Sequence, residues 1–184
     1  MMKASELVGK AGVCWLQPPA GRFYVAMGTL LVLSLVAVGA SLWQGYPQMG
    51  LLPWVGVIFG GIVLLMMLVP RHWQPWRMAE LAWDRDHLYL VNGQQDSVRA
   101  LPRSALVEVG RERRVGHNGE WLEFSLDLAL GQDELTQVVE LLGLGEEPVH
   151  EVSPGVYRFG FKRAWHSRRA LGALLTQLVP PRAD

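Results

Sequence analysis

The chain has 184 residues, half of them apolar and 18% charged, and its seventeen basic and seventeen acidic side chains give a formal net charge of zero. That balance excludes a strongly basic nucleic-acid binder, the charge content excludes a multi-span transporter, and the length leaves room for one modest domain plus an anchor. The one cysteine, Cys14, excludes an intrachain disulfide and a cysteine-built zinc site; beside Trp15 it is expected to be a small packing residue.

In chain order, residues 1–22 form an N-terminal segment carrying Lys3, Lys10 and Arg22 against Glu6. From Phe23 to Val69 no Lys, Arg, Asp, Glu or His occurs. A hydrocarbon core of about 30 Å takes roughly 20 apolar residues in helical form, and two such runs lie here, 23–43 and 49–69. Backbone polar groups in lipid must be satisfied within the segment, so both are expected to be transmembrane helices. The link 44–48, Gln-Gly-Tyr-Pro-Gln, is short enough to force an antiparallel hairpin, and Pro53 falls where a helix tolerates a missing N–H.

The positive-inside rule orients this hairpin. Lys3, Lys10 and Arg22 precede it, Arg71, Arg77 and Arg85 follow it, and the link is uncharged. The expectation is a multi-pass protein of the bacterial inner (cytoplasmic) membrane with both termini cytoplasmic. Trp43, Tyr46, Trp54, Trp73 and Trp76 fit aromatic belts at the two interfaces. A cleaved signal peptide is the competing reading, with Val38-Gly39-Ala40 as its cleavage site; the apolar run and its leader are long for one, and a second run follows at once. Gly56 and Gly60 form a GxxxG that lets helices approach closely, within the hairpin or at a subunit interface. Neither run holds an ionisable residue, as proton relays and ion sites require.

Residues 70–78, with two prolines, read as a stiff connector to a cytoplasmic domain over 79–184. Strands are expected at 80–84, 87–91, 97–101 and 105–109, the last with a charged extension at 111–114; Asn92-Gly93 and His117-Asn118-Gly119 mark turns. Along 121–128, Leu122, Phe124, Leu126 and Leu128 alternate with Glu123, Ser125 and Asp127, which predicts a strand with one apolar face and a solvated face holding Glu123 and Asp127. Leu135, Val138, Val139 and Leu142 have helical spacing, so 131–143 is expected to be a helix capped by Asp133 and ended by Gly143. After a loop at 145–148, strands at 149–152 and 156–161 flank Ser153-Pro154-Gly155, with Tyr157, Phe159 and Phe161 on one face. A last helix over 164–179 carries the stripe Leu171, Leu174, Leu175 and Leu178, stopped by Pro180-Pro181. The fold class is therefore a membrane α-hairpin followed by an α+β domain, mostly antiparallel β with a C-terminal helix.

The two-span hairpin, then Leu81-Ala82-Trp83-Asp84-Arg85-Asp86-His87-Leu88-Tyr89-Leu90 and Leu101-Pro102-Arg103-Ser104-Ala105-Leu106-Val107-Glu108-Val109, resemble the bacterial membrane-anchored PH-like domain proteins, the YcxB-like and bacterial PH families. The resemblance covers 79–128 and the last helix; the helix at 131–143 departs from the simple PH order. It implies an open barrel crossed by a C-terminal helix, and an anchoring or binding role with no catalytic residue.

His72, His87, His117, His150 and His166 show no ligand spacing. The serines have no nucleophile-elbow context, and no phosphate loop occurs. Neither an enzyme nor a cofactor is expected. One cluster stands out. Arg158, Lys162, Arg163, Arg168 and Arg169 lie close in sequence around Trp165 and His166 with no acid among them. It is a candidate patch for anionic lipid headgroups or an acidic protein partner, or simply a solvated strand end and helix start. The function expected is a tethered, non-enzymatic interaction domain that binds membrane lipid or a protein partner, with self-association through the GxxxG. The alternative is an accessory or assembly subunit of a larger membrane complex, contacted through the hairpin.

Overall fold

The structure is a computed structural model that describes residues 2–43, 50–116, 119–144, 149–162 and 166–178; side chains at 51–52, 111–123, 162 and 168 are not among those described. The 44–48 link with Tyr46, the His117-Asn118 turn, the 145–148 loop and the Pro180-Pro181 stop lie outside the described residues. The chain forms two compact units: Met1–Pro18 with Trp76–Asp184, and Pro19–Pro75.

The second unit is the simpler one. Helices α2 (Ala20–Trp43) and α3 (Leu51–Met67) pack together, and two 3-10 turns, Pro70–Trp73 and Pro75–Met78, lead away from them. A methyl group at Gly56 would fall 2.5 Å from Ser41 Oγ, and one at Gly60 would fall 2.7 Å from Val38 Cγ2 and 3.1 Å from Ser34 O. Residues ascending along α3 thus meet residues descending along α2, so the pair is antiparallel, with Ser34 and Ser41 buried at the seam. The Ser34 hydroxyl donates to Leu30 O within its own helix. Among the described residues only α2 is long and apolar enough to cross a membrane by length and composition. Where 49–69 was expected as a second span, α3 runs for 17 residues and ends at Met67, with Leu68 as its C-cap.

The first unit includes a helix and a strand absent from the expected elements. They are α1 (Ala4–Val8) and β1 (Cys14–Leu16), both preceding α2. With β2 (Leu81–Trp83), β3 (His87–Asn92) and β4 (Ser97–Pro102), β1 makes a four-stranded antiparallel sheet in the order β1-β2-β3-β4. Met2 bridges Val98 at the far edge, so the N-terminal segment crosses the whole outer face of this sheet. There α1 buries Ala4 and Leu7 against Ala82, Tyr89, Val91 and Val98, with Val13, Trp15 and Trp76 packed around them. Trp76, partly buried, is thus one of the packing residues of the domain. Cys14, expected to be packed, is exposed on β1.

Strands β5 (Leu106–Gly116), β6 (Gly119–Ala129), β7 (His150–Ser153) and β8 (Val156–Lys162) form a second antiparallel sheet in the order β5-β6-β8-β7. Helix α4 (Gln132–Leu142) bridges β6 to β7. Its first N–H groups are served differently from expectation: Glu134 accepts from the Gly131 N–H at 3.2 Å, and Asp133 sits within the first turn. Gly143 ends the helix with φ +65°, a left-handed geometry that favours glycine. Helix α5 (Arg168–Leu178) begins later than expected because Ser167 caps it, its Oγ accepting from the Ala170 N–H.

The inner faces of both sheets and one stripe of each helix share a single core. Leu81, Leu88, Leu90, Phe124, Leu126, Leu128, Phe159, Val138, Leu141, Leu171 and Leu175 are all buried in it. Each such side chain contributes roughly 1.5–3 kcal/mol by leaving water. Arg103 fastens the C-terminal helix: its guanidinium donates to Asp84 O at 2.6 Å, to Leu178 O at 2.7 Å and to Gln177 O. A fixed cation at the carbonyl end of α5 also complements the helix dipole.

Candidate functional site

The basic cluster of the sequence is only partly present as a surface patch among the described residues. Arg169 is exposed. Arg163, Trp165 and the side chains of Lys162 and Arg168 lie outside the described residues. Arg158 does not project as a docking cation. Its Nε and Nη2 each donate to Asp127 at 2.7 Å, a bidentate pair across neighbouring strands β8 and β6. Asp127, expected on a solvated face, is 2% exposed. The cause is this cross-strand arginine, which lies over the carboxylate and shields it. Beside it Ser125 is also buried, close against Gly110, with no hydrogen-bond partner for its hydroxyl among the described residues. His166, inside the cluster in sequence, is 7% exposed; its Nε2 lies 2.9 Å from Gln17 O and is therefore the protonated nitrogen, tying the entry to α5 to the end of the N-terminal segment.

A second polar cluster holds that N-terminal segment to the first sheet. Asp84 lies in the turn between β2 and β3, where its Oδ1 accepts from the N–H groups of Asp86 (2.9 Å) and His87 (2.7 Å). Its Oδ2 accepts from the Tyr89 hydroxyl at 2.7 Å and from Lys10 Nζ at 3.2 Å, and Lys10 also reaches the Tyr89 oxygen at 3.1 Å. Burial works to raise the Asp84 carboxyl, but hydrogen bonds from Tyr89, Asp86, His87 and Lys10 outweigh it and hold the group well below the usual carboxylate range. Burial, and donation to Asp84, push Tyr89 up; hydrogen bonds to Tyr89 and Asp84 raise Lys10. At the opposite edge Asp96, with φ +54°, accepts from Ser5 N and Oγ at 2.8 and 2.9 Å and so caps α1 from another part of the chain. This clasp joins two parts of the domain.

The domain also carries an open cleft of about 780 Å³. It is lined by the segment Arg77, Met78, Ala79 and Glu80, by Val91 to Gln94, by the end of α4 with Leu141 and Leu142, by Gly160 and Phe161, and by Pro18. Asn92 donates from Nδ2 to Leu141 O at 2.8 Å, which fixes the end of α4 against β3. Arg77 lies 5.0 Å over the Trp76 ring and directs Nη1 toward Gly93 O and Gln94 O. Gly93 is required at that turn, because a side chain would meet the Arg77 backbone at 2.5 Å. Two charged side chains, Arg77 and Glu80, are among its lining residues. The sequence reading missed this place because its lining comes from five separate segments; only the Asn92-Gly93 dipeptide signalled one of them. No protein-family model, curated protein or solved structure matches the chain.

Proposed function

We propose that the protein is a non-enzymatic, membrane-tethered binding module in which α2 and α3 cross the bacterial inner membrane as a hairpin and carry a PH-like domain on the cytoplasmic side. One observation carries this reading: the domain is assembled from chain on both sides of the hairpin, Met1–Pro18 and Trp76–Asp184. Segments that fold together occupy one side of a membrane. The intervening chain must then cross an even number of times, so if α2 spans, α3 returns. Seventeen residues rise about 26 Å, at the lower end of what a bilayer core of about 30 Å requires. The outward faces of both helices suit lipid: Leu33, Val36, Phe59 and Leu65 are each more than half exposed.

A cleaved leader fits less well. Removing the segment through α2 would strip α1 and β1 from the domain and uncover Ala82, Tyr89, Val91 and Val98. Two antiparallel sheets closed by a C-terminal helix support the PH-like resemblance, although α4 is an addition to that plan. The domain would engage a protein partner or membrane lipid. The accessory-subunit reading keeps one supporting observation, the apolar outer face of the hairpin; the GxxxG face itself is occupied by α2.

The lone cysteine supplies the test. Cys14 is exposed on β1, and Ser153, exposed on β7, accepts a second label position as Ser153→Cys. A membrane-impermeant maleimide should label both positions in inside-out vesicles and neither in intact spheroplasts. Labelling of Cys14 and Ser153→Cys from opposite sides would sink the hairpin.

A further inference from the structure

We infer that the N-terminal segment 2–8 is a latch. It opens from the sheet β1-β2-β3-β4 as a unit, pivoting at the turn 9–12, while the rest of the domain stays folded. Closed, it caps the β4 edge at Val98 and keeps the outer face of the sheet dry; open, it exposes the Val98 N–H together with Ala82, Tyr89 and Val91. All of these residues lie within the first compact unit, so the latch works whether or not the hairpin crosses a membrane.

Three observations converge on this device. The first is how the apolar contacts divide. Ala4 and Leu7, the buried residues of the segment, pack only in the outer-face cluster with Ala82, Tyr89, Val91 and Val98. Among the described residues, none of 2–12 joins the main core between the two sheets, whereas Leu16 on β1 does. The boundary between what opening disturbs and what it spares therefore falls between α1 and β1. The second is the chain at that boundary. Residues 9–12 are all exposed, a methyl group at Gly9 or Gly12 would meet nothing within 4 Å, and Gly12 has φ +83°, where glycine is favoured. Lys10, inside the turn, reaches Asp84 and Tyr89, so the pivot stays in place as the segment ahead of it swings. The third is how little holds the segment. A helix of five residues is too short to persist by itself. Its described hydrogen bonds to the sheet run from Ala4 N and from Ser5 N and Oγ to Asp96, and from Val98 N to Met2 O. The Ser5 bonds are exposed, where water competes for them. A segment with few buried contacts opens at lower free energy than the domain that carries it.

The experiment is hydrogen–deuterium exchange on the full chain in mild detergent, read at single amides and repeated at low urea concentrations. Val98 is the reporter, because its buried N–H donates to Met2 O rather than to β3. The reference is residues 124–128 of β6, paired on both sides. The protection factor of Val98 should be measurable, yet about a hundredfold or more below that of 124–128, and nearly independent of urea because opening exposes little surface. Phe159→Leu, confined to the main core, should lower protection of 124–128 about tenfold and leave Val98 unchanged, since both latch states contain that core. Equal protection at Val98 and 124–128 would overturn the latch, as would a loss at Val98 in Phe159→Leu matching the loss on β6; either makes the segment part of one cooperative unit. An unprotected Val98 would overturn it from the other side, because no closed state would exist.

Discussion

Leu16 pairs in register with Leu81, although the whole hairpin lies between them in the chain. Strand β1 is therefore an edge strand of a sheet whose other members follow the hairpin in the chain, and the domain is complete only when both flanks of the hairpin have met.

Leu7 should behave as a core residue of the domain despite its place near the N-terminus. It is 1% exposed and packs with Ala4 on Ala82, Tyr89, Val91 and Val98. Leu7→Ala should cost about 2–3 kcal/mol, toward the low end for buried leucines because a five-residue helix can settle into the gap. Chemical denaturation of the detergent-solubilised protein measures this. A cost under about 0.5 kcal/mol, typical of surface substitutions, would show that α1 is not bound to the sheet.

The hairpin should tolerate substitution at Gly61 and reject it at Gly60. Nothing lies within 4 Å of a methyl group at Gly61, whereas one at Gly60 meets Val38 and the Ser34 carbonyl. Overpacking of this kind costs typically about 1–3 kcal/mol. Gly60→Ile should weaken α2–α3 association, read as loss of a disulfide crosslink between cysteines introduced at Ser41 and Gly56, whose Cβ positions lie 3.7 Å apart, while Gly61→Ala leaves the crosslink intact. Equal crosslinking in both variants would contradict the close approach.

Much of the domain was legible from the sequence because period and punctuation agreed. Leu126 and Leu128 alternate with polar residues, Asn92-Gly93 and Pro154-Gly155 mark turns, and the leucine stripe of α5 is buried at Leu171, Leu175 and Leu178. The pieces that escaped lack the length for a period to appear: α1 has five residues and β1 three. Their partners lie across the hairpin, where no local pattern points. Asp127 escaped for a different reason. Alternation identifies a strand's polar face, but whether that face is covered depends on which residue of β8 stands opposite, and the register that brings Arg158 there is a tertiary fact. The cleft was illegible for the same reason.

Arg158 and Arg169, equivalent in the sequence, should separate sharply in experiment. Arg158→Ala leaves the buried Asp127 carboxylate without its bidentate partner, and the cost of breaking such a pair is about 3 kcal/mol. The arginine is about one-third exposed, so solvent screening lowers that figure. Asp127→Leu with Arg158→Met should recover most of it. Arg169→Glu, at an exposed position, should leave the melting temperature within a degree or so of wild type. Loss of Arg158 is therefore a folding lesion, and binding assays of the basic cluster belong at Arg169. A melting temperature equally insensitive to both substitutions would refute the distinction.

The clasp formed by Lys10, Asp84 and Tyr89 should give the domain an alkaline limit. Asp84 is depressed, so its contribution is present above about pH 4 and disappears as pH falls through its lower folded value. Tyr89 and Lys10 are raised, so theirs is present below about pH 10 and disappears as pH rises through their higher folded values. His87, 3.5 Å from Asp84 and stacked on Tyr89, is the other titratable neighbour. Above about pH 10 the Tyr89 oxygen begins to lose the proton it donates to Asp84, two anions then face each other, and the N-terminal segment loses a tie to the sheet. The melting temperature should be level from about pH 5 to 9 and fall above 10. Tyr89→Phe should cost about 1 kcal/mol at neutral pH, the worth of a typical hydrogen bond, and should flatten the alkaline fall because the group that titrates is gone. An unchanged alkaline limb in Tyr89→Phe would mean that the limit arises outside the clasp.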